Sequence, residues 1–207
     1  MKKHYNKYFS DSEIESVKPF YYDYESKRKI VTYVPLSHTD KVMFDMSFAG
    51  AGVIGNYRIC SFRMMGVGTF LPVKGSKPFS GSKGKISYDE EVRLEMECSE
   101  NLLDDVVEAL LKAHPYDEPA YEIYEFVKRG KTPAGYILTL KKTASLKSLI
   151  TRLNKSIKTA GLNSGPGAKK IAVLKGTLTE STKTRAAEEG CGYILSIKEK
   201  NITINKI

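Results

Sequence analysis

Residues 29–127 fall into six segments whose apolar residues switch between a strand period and a helix period, and this order constrains the fold more than any other feature of the chain. Lys29-Ile30-Val31-Thr32-Tyr33-Val34 is rich in β-branched and aromatic residues and stops at Pro35, which predicts a mostly buried strand. A helix is expected at once: Ser37-His38-Thr39-Asp40 has capping-box spacing, with Ser37 placed to accept an amide hydrogen bond. Val42, Met46 and Ala49 then share one face, and Gly50 ends the helix. Strand segments follow at residues 57–65 and 67–73, broken at Gly66 and Gly68, where a bulge or bend is expected. Residues 91–98 alternate cleanly, with Val92, Leu94, Met96 and Cys98 on one face and charges on the other. A second helix opens after Ser99 with Glu100, Asp104 and Asp105 near its positive end and carries Leu102, Leu103, Val106, Val107, Leu110 and Leu111 on one stripe. His114 lies at its carbonyl end, Pro115 forbids continuation, and a last strand is expected over residues 120–126. Strand, helix, strand, strand, helix, strand gives a ferredoxin-like β-α-β-β-α-β domain of the α+β class, an antiparallel sheet with both helices on one face.

Charge divides the rest of the chain from this region. The net +9 comes from six Lys/Arg against five Asp/Glu in residues 1–28, ten against fifteen in residues 29–127 and seventeen against four in residues 128–207. Three segments follow: an N-terminal arm (1–28), the patterned domain (29–127) and a basic lobe (128–207). The arm holds Tyr5, Tyr8, Phe9, Phe20, Tyr21, Tyr22 and Tyr24 without a clean period and is expected to be peripheral. The lobe repeats α/β grammar more weakly. Strands are expected at 135–141, 170–174, 192–197 and 202–207, and a helical face at Leu146, Leu149, Ile150, Leu153 and Ile157. A turn is expected at Asn163-Ser164-Gly165-Pro166-Gly167, and a short helix at 181–189 closed by Gly190. No segment approaches the length of apolar chain that spans a bilayer, and the first residues carry no apolar leader, so a cytoplasmic protein with no membrane partner is expected.

Few residue patterns point to chemistry. Gly50-Ala51-Gly52-Val53-Ile54-Gly55 spells the dinucleotide fingerprint, but a helix precedes it and a strand follows, the reverse of what pyrophosphate binding needs. It reads as a helix-ending turn, or as a loop of backbone amides that contacts a small anion at a subunit edge. His114-Pro115-Tyr116-Asp117-Glu118-Pro119-Ala120-Tyr121 sets an imidazole, two carboxylates and a phenol in a proline-stiffened turn. It reads as a polar site or, more blandly, as a helix cap with solvated acids. His4, His38 and His114 are the chain's three histidines and are scattered, and Cys60, Cys98 and Cys191 are unclustered, so neither a metal site nor a disulfide framework is expected.

Five stretches together carry a resemblance: Tyr33-Val34-Pro35; Phe48-Ala49-Gly50-Ala51-Gly52-Val53-Ile54-Gly55-Asn56-Tyr57; Gly66-Val67-Gly68-Thr69-Phe70-Leu71-Pro72; Glu91-Val92-Arg93-Leu94-Glu95; and the turn from His114 to Tyr121. In order and spacing they resemble the insert domain of the Nif-three family, the GTP cyclohydrolase I type 2 homologues, an insert that looks like PII and CutA proteins. Lys170-Ile171-Ala172-Val173-Leu174-Lys175-Gly176 looks like the strand and glycine turn opening that family's second α/β half. Family members carry histidine-rich and acidic ligands for two metals on both sides of the insert. Here 28 residues precede it and the chain ends soon after Ile202-Thr203-Ile204, so a chain truncated relative to the family, without metal or other cofactor, is expected.

The resemblance implies a regulatory binding protein that self-associates, as a trimer in the PII and CutA manner, and takes a small molecule or a protein partner. Its ligand site is implied at two loops, Gly52, Gly55, Asn56 and Tyr57 in one and His114, Pro115, Tyr116, Asp117 and Glu118 in the other, meeting near a subunit boundary. Two alternatives stay open: a metal-dependent hydrolase of the cyclohydrolase-homologue kind, and a nucleic-acid or acidic-partner binder using the basic lobe, with salt-sensitive, sequence-indifferent affinity.

Overall fold

The computed structural model describes residues 3–153, 157–159, 165–198 and 201–207, with backbone alone for 157–159. Two compact units result, one of residues 25–128 and one of residues 1–24 with 129–207. The boundary between them falls inside two long strands, β1 (Ile14–Pro35) and β4 (Tyr121–Ala144).

In the first unit β1 is followed by α1 (Thr39–Phe48), β2 (Phe62–Phe70), β3 (Ser87–Ser99), α2 (Leu103–Ala113) and β4. The strand order is β2-β3-β1-β4, with β3 antiparallel to both β1 and β2. This is the ferredoxin-like arrangement that the apolar order predicts. Ile30, Val34, Leu94, Met96 and Cys98 from the sheet pack with Val42, Met46, Val106 and Leu110 from the two helices. Alternation sends Arg93, Glu95 and Glu97 to the opposite face. There Lys29 Nζ meets Glu95 at 2.8 Å, Arg93 Nε meets Glu95 at 2.9 Å, and Lys128 Nζ meets Glu97 at 2.7 Å. The hydrogen bond from Lys29, then that from Arg93, holds the Glu95 carboxyl below its ordinary range.

Several local expectations are corrected. Ser37 does not cap α1: residues 36–38 form a 3-10 turn, the Ser37 hydroxyl pairs with His38 Nδ1, and the residue before α1 makes no side-chain cap. Gly66 and Gly68 do not break the strand. Both sit inside β2 in continuous register, Gly66 opposite Glu91 and Gly68 opposite Asp89, while residues 57–61 stay outside it. Leu111 lies on the exposed side of α2.

In the other unit α3 (Leu146–Leu153), β5 (Ile157–Thr159), β6 (Ala168–Lys175), α4 (Glu180–Glu188), β7 (Tyr193–Lys198) and β8 (Asn201–Lys206) follow β4. Strand order is β1-β4-β6-β7-β8-β5. Ile157, expected on the α3 face, stands in β5. Of the expected turn at 163–167, Asn163 and Ser164 lie outside the described residues. The N-terminal residues are not a peripheral arm. Tyr5 and Phe9 are buried with Tyr136, Leu138 and Leu149, and Phe20 packs with Ile137 and Ile194, because these aromatics close a core that the lobe alone leaves uncovered. No helix among the described residues is long and apolar enough to cross a membrane.

Candidate functional site

A cavity of about 630 Å³ opens in the unit of residues 25–128, between residues 64–72 of β2 and the chain after it, Ser76, Pro78 and Phe79 of the β2–β3 loop, and the turn after α2. That volume falls in the range of small-molecule sites. Glu91 lines the cavity and is 8% exposed although it is a carboxylate. The Tyr116 hydroxyl donates to Glu91 Oε1 over 2.7 Å and lies 3.4 Å from Asp89 Oδ2, whose other neighbour is the Ser80 hydroxyl. Burial, then the hydrogen bond and charge of Glu91, push the Tyr116 phenol well above its ordinary value, so it stays protonated as the donor. Gly68 makes room for this acid: a Cβ there would collide with the Glu91 carboxylate.

The turn that supplies Tyr116 is held by His114, which is buried at the end of α2. Its Nδ1 accepts the Tyr116 amide at 3.1 Å, so Nε2 carries the proton and donates to the Tyr33 carbonyl at 3.0 Å. Burial lowers its pKa, and the nearby His38 adds to this, against the Tyr33 hydrogen bond. His114 therefore ties the turn to β1 rather than capping the carbonyls of α2 with its side chain. Asp117 is exposed and accepts the Lys77 amide at 3.0 Å, which pins the β2–β3 loop to the same turn. The rings of Phe70, Phe79 and Tyr116 stand together, with centroids 6.3 and 6.0 Å from Tyr116, and His38 packs edge-on against Phe79. Arg93, on the wall, has its guanidinium bound to Glu95 and to the Tyr33 hydroxyl.

Of the expected site residues, Tyr116, Asp117 and Glu118 line this cavity, and His114 and Pro115 stand in the turn that carries them. Gly52, Gly55, Asn56 and Tyr57 do not. Within one chain their loop lies at the other end of the sheet, where the Gly52 amide donates to the Glu97 carbonyl at 2.8 Å, six residues along β3 from Glu91. At a rise of about 3.3 Å per residue, that is roughly 20 Å away. The amides of Gly50, Ala51, Gly52, Ile54, Tyr57 and Cys60 are all used within or beside this loop, which removes most donors from an anion-binding reading. Tyr57 itself is 74% exposed. Glu91, Gly68, Phe70 and Phe79 were not expected as site residues. The signal for Glu91 was faint: an acid directly before the apolar alternation of β3, opposite a glycine pair.

Among the described residues, no group of three or more His, Cys, Asp or Glu is placed to hold a metal ion. Cys98 and Cys191 are buried thiols, and burial pushes Cys191 up to about 11.

In the other unit a second cavity, of about 440 Å³, is lined by Lys3, His4, Asp23, Thr132, Tyr136 and Lys175 among others.

No family model matches the chain. It is 44% identical over 108 residues to the GTP cyclohydrolase 1 type 2 homolog of Halalkalibacterium halodurans, covering 52% of this chain and 29% of that protein. With the Bacillus subtilis protein of the same name it is 36% identical over 173 residues, covering 80% of this chain and 45% of the relative. The chain thus spans less than half the length of these relatives. The crystal structure of a Bacillus cereus protein related to NIF3 superposes with a TM-score of 0.53 at 26% identity, over 94% of this chain and 56% of that one.

Proposed function

We propose, for a chain of the Nif-three family that spans less than half of its relatives' length, a regulatory binding function centred on the Glu91–Tyr116 cavity in the ferredoxin-like unit. The observation that carries it is a carboxylate 92% withdrawn from solvent, yet left on the wall of an open, aromatic-lined pocket. A buried charge without full pairing costs stability, so its retention is better explained by a ligand than by packing. The protein acts in the cytoplasm as a homo-oligomer, a trimer on the PII and CutA resemblance, and the loop of Gly52, Gly55, Asn56 and Tyr57 reaches a ligand site only from a neighbouring copy. The relatives that carry the name GTP cyclohydrolase 1 type 2 homolog are more than twice the length matched here.

Amide spectra recorded with a mixed library of small organic compounds test the pocket. Saturable shifts are expected at Gly68, Lys77 and Tyr116, and they should vanish in Tyr116→Ala. A library that leaves all three unmoved would overturn the reading.

A second reading follows from charge. Residues 1–24 and 129–207 hold twenty Lys/Arg against eight Asp/Glu, whereas residues 25–128 hold thirteen against sixteen. An acidic partner, nucleic acid included, would meet the unit of residues 1–24 and 129–207 through counterion release, and its affinity should fall steeply with salt.

A further inference from the structure

Resting on the pocket proposed above, the geometry points to an organic cation with an apolar or aromatic body as its ligand class. Three carboxylates line the cavity, Glu91, Asp117 and Glu118, against one cation, Arg93, whose guanidinium is already bonded to Glu95 and the Tyr33 hydroxyl. The balance opposes a phosphate or carboxylate ligand and favours a positive one. Glu91 is the decisive group. Its Oε1 accepts the hydrogen bond of the Tyr116 hydroxyl, and among the described residues no donor pairs with Oε2. A charge-assisted hydrogen bond from an ammonium or amidinium would complete the shell of this oxygen.

The walls suit the rest of such a molecule. The rings of Phe70, Phe79 and Tyr116 line the same cavity as the acid, and ring faces attract cations within about 6 Å. Met65 and Leu71 add apolar surface. A hydrated metal ion would leave those walls unused and a cavity of about 630 Å³ largely empty, whereas a small amine or amidine with a ring would fill both parts.

The test uses benzamidine, benzamide and benzoate, which share one ring and differ in charge, titrated into the full chain with the Gly68 and Tyr116 amides as reporters. Benzamidine is expected to bind saturably and at least roughly tenfold more tightly than benzamide, with no binding of benzoate. Glu91→Gln keeps an acceptor for Tyr116 and should bring benzamidine down to the benzamide level. Should that variant fail to fold, the native chain decides: benzamidine affinity should fall between about 50 and about 500 mM salt while benzamide affinity holds. Benzoate or benzamide binding as tightly as benzamidine overturns the cation assignment and leaves the pocket intact. Silence from all three, while members of the mixed library shift the same amides, also overturns it. Silence from the library as well brings down the pocket reading itself.

Discussion

The Tyr116 hydroxyl donates to Glu91 over 2.7 Å and so fastens the turn after α2 to the second strand from the edge of the sheet. The bond joins a buried acid to a phenol from another element, and its two members depend on each other unequally.

Tyr116→Phe removes the donor and leaves Glu91 buried with neither oxygen paired by a side chain. The expected cost is about 1–3 kcal/mol, the range for stranding a buried polar group. Adding Glu91→Leu to the same chain should return much of that loss, because the acid is then no longer buried without a partner. Urea unfolding of the two single variants and the double variant measures the coupling. A double variant as unstable as the sum of the singles would show that the pair is not coupled.

Gly68 and Gly66 give an internal control two residues apart on β2. A methyl at Gly68 meets the Glu91 carboxylate, while one at Gly66 meets nothing within 4 Å. Gly68→Ala should therefore cost about 1–3 kcal/mol through overpacking and displace the acid, whereas Gly66→Ala should be within about 0.5 kcal/mol of neutral or slightly stabilising. Melting temperatures that move equally would remove the claim that Gly68 exists to seat Glu91.

Stability should also fall in mild acid. His114 has its pKa lowered chiefly by burial, and His4 in the other unit likewise. Each folded form therefore binds fewer protons than the unfolded chain near and below the ordinary histidine value of 6.5. The unfolded state takes up protons first as pH drops, so stability is full above that value and declines from there toward the depressed folded pKa. Protonating His114 also ends its acceptance of the Tyr116 amide. The urea midpoint measured from about pH 7.5 down to about pH 5 should decline, less so in His114→Gln or His4→Gln alone and least in the double variant. An unchanged slope in the double variant would locate the acid sensitivity elsewhere.

Much of this fold could be read from local pattern, and the misses share one cause. The alternation of Val92, Leu94, Met96 and Cys98, the stop at Pro115 and the turn at Gly50 are decided by neighbours in sequence, and each stands where the pattern put it. Tyr5 and Phe9 join their core through Tyr136, Leu138 and Leu149, more than a hundred residues away, so no period along the first 28 residues could reveal their burial. Glu91 is a site residue because Gly68, Tyr116 and the β2–β3 loop converge on it, which is again a non-local fact. The placement of the two expected loops was within reach. In a strand-helix-strand-strand-helix-strand chain, the turn after the first helix and the turn after the second lie at opposite ends of the sheet, so one subunit cannot bring them together.

Self-association is the prediction with the widest reach. β2 forms the edge of its sheet, where an unpaired backbone row invites another strand. Edge strands that stay single are ordinarily short or charged, but Phe62, Met64, Met65 and Val67 are all exposed, and Val67 is 68% so. Their alternation puts apolar groups on both faces, so no rotation of the strand hides them within one chain. Packing of neighbouring copies against β2 would cover the backbone row and these side chains at once. The open face can take part too, since Tyr124 stands half-exposed there with its hydroxyl on Glu122. Light scattering at micromolar concentration should then report a mass well above the 23.2 kDa of one chain. Val67→Lys should lower it, and Tyr124→Lys should weaken it by setting a charge in the contact. Lys142→Glu, exposed in the other unit, should leave it unchanged. A monomer mass for the unaltered chain would refute the association, and the loop around Tyr57 would then have no route to the Glu91 pocket.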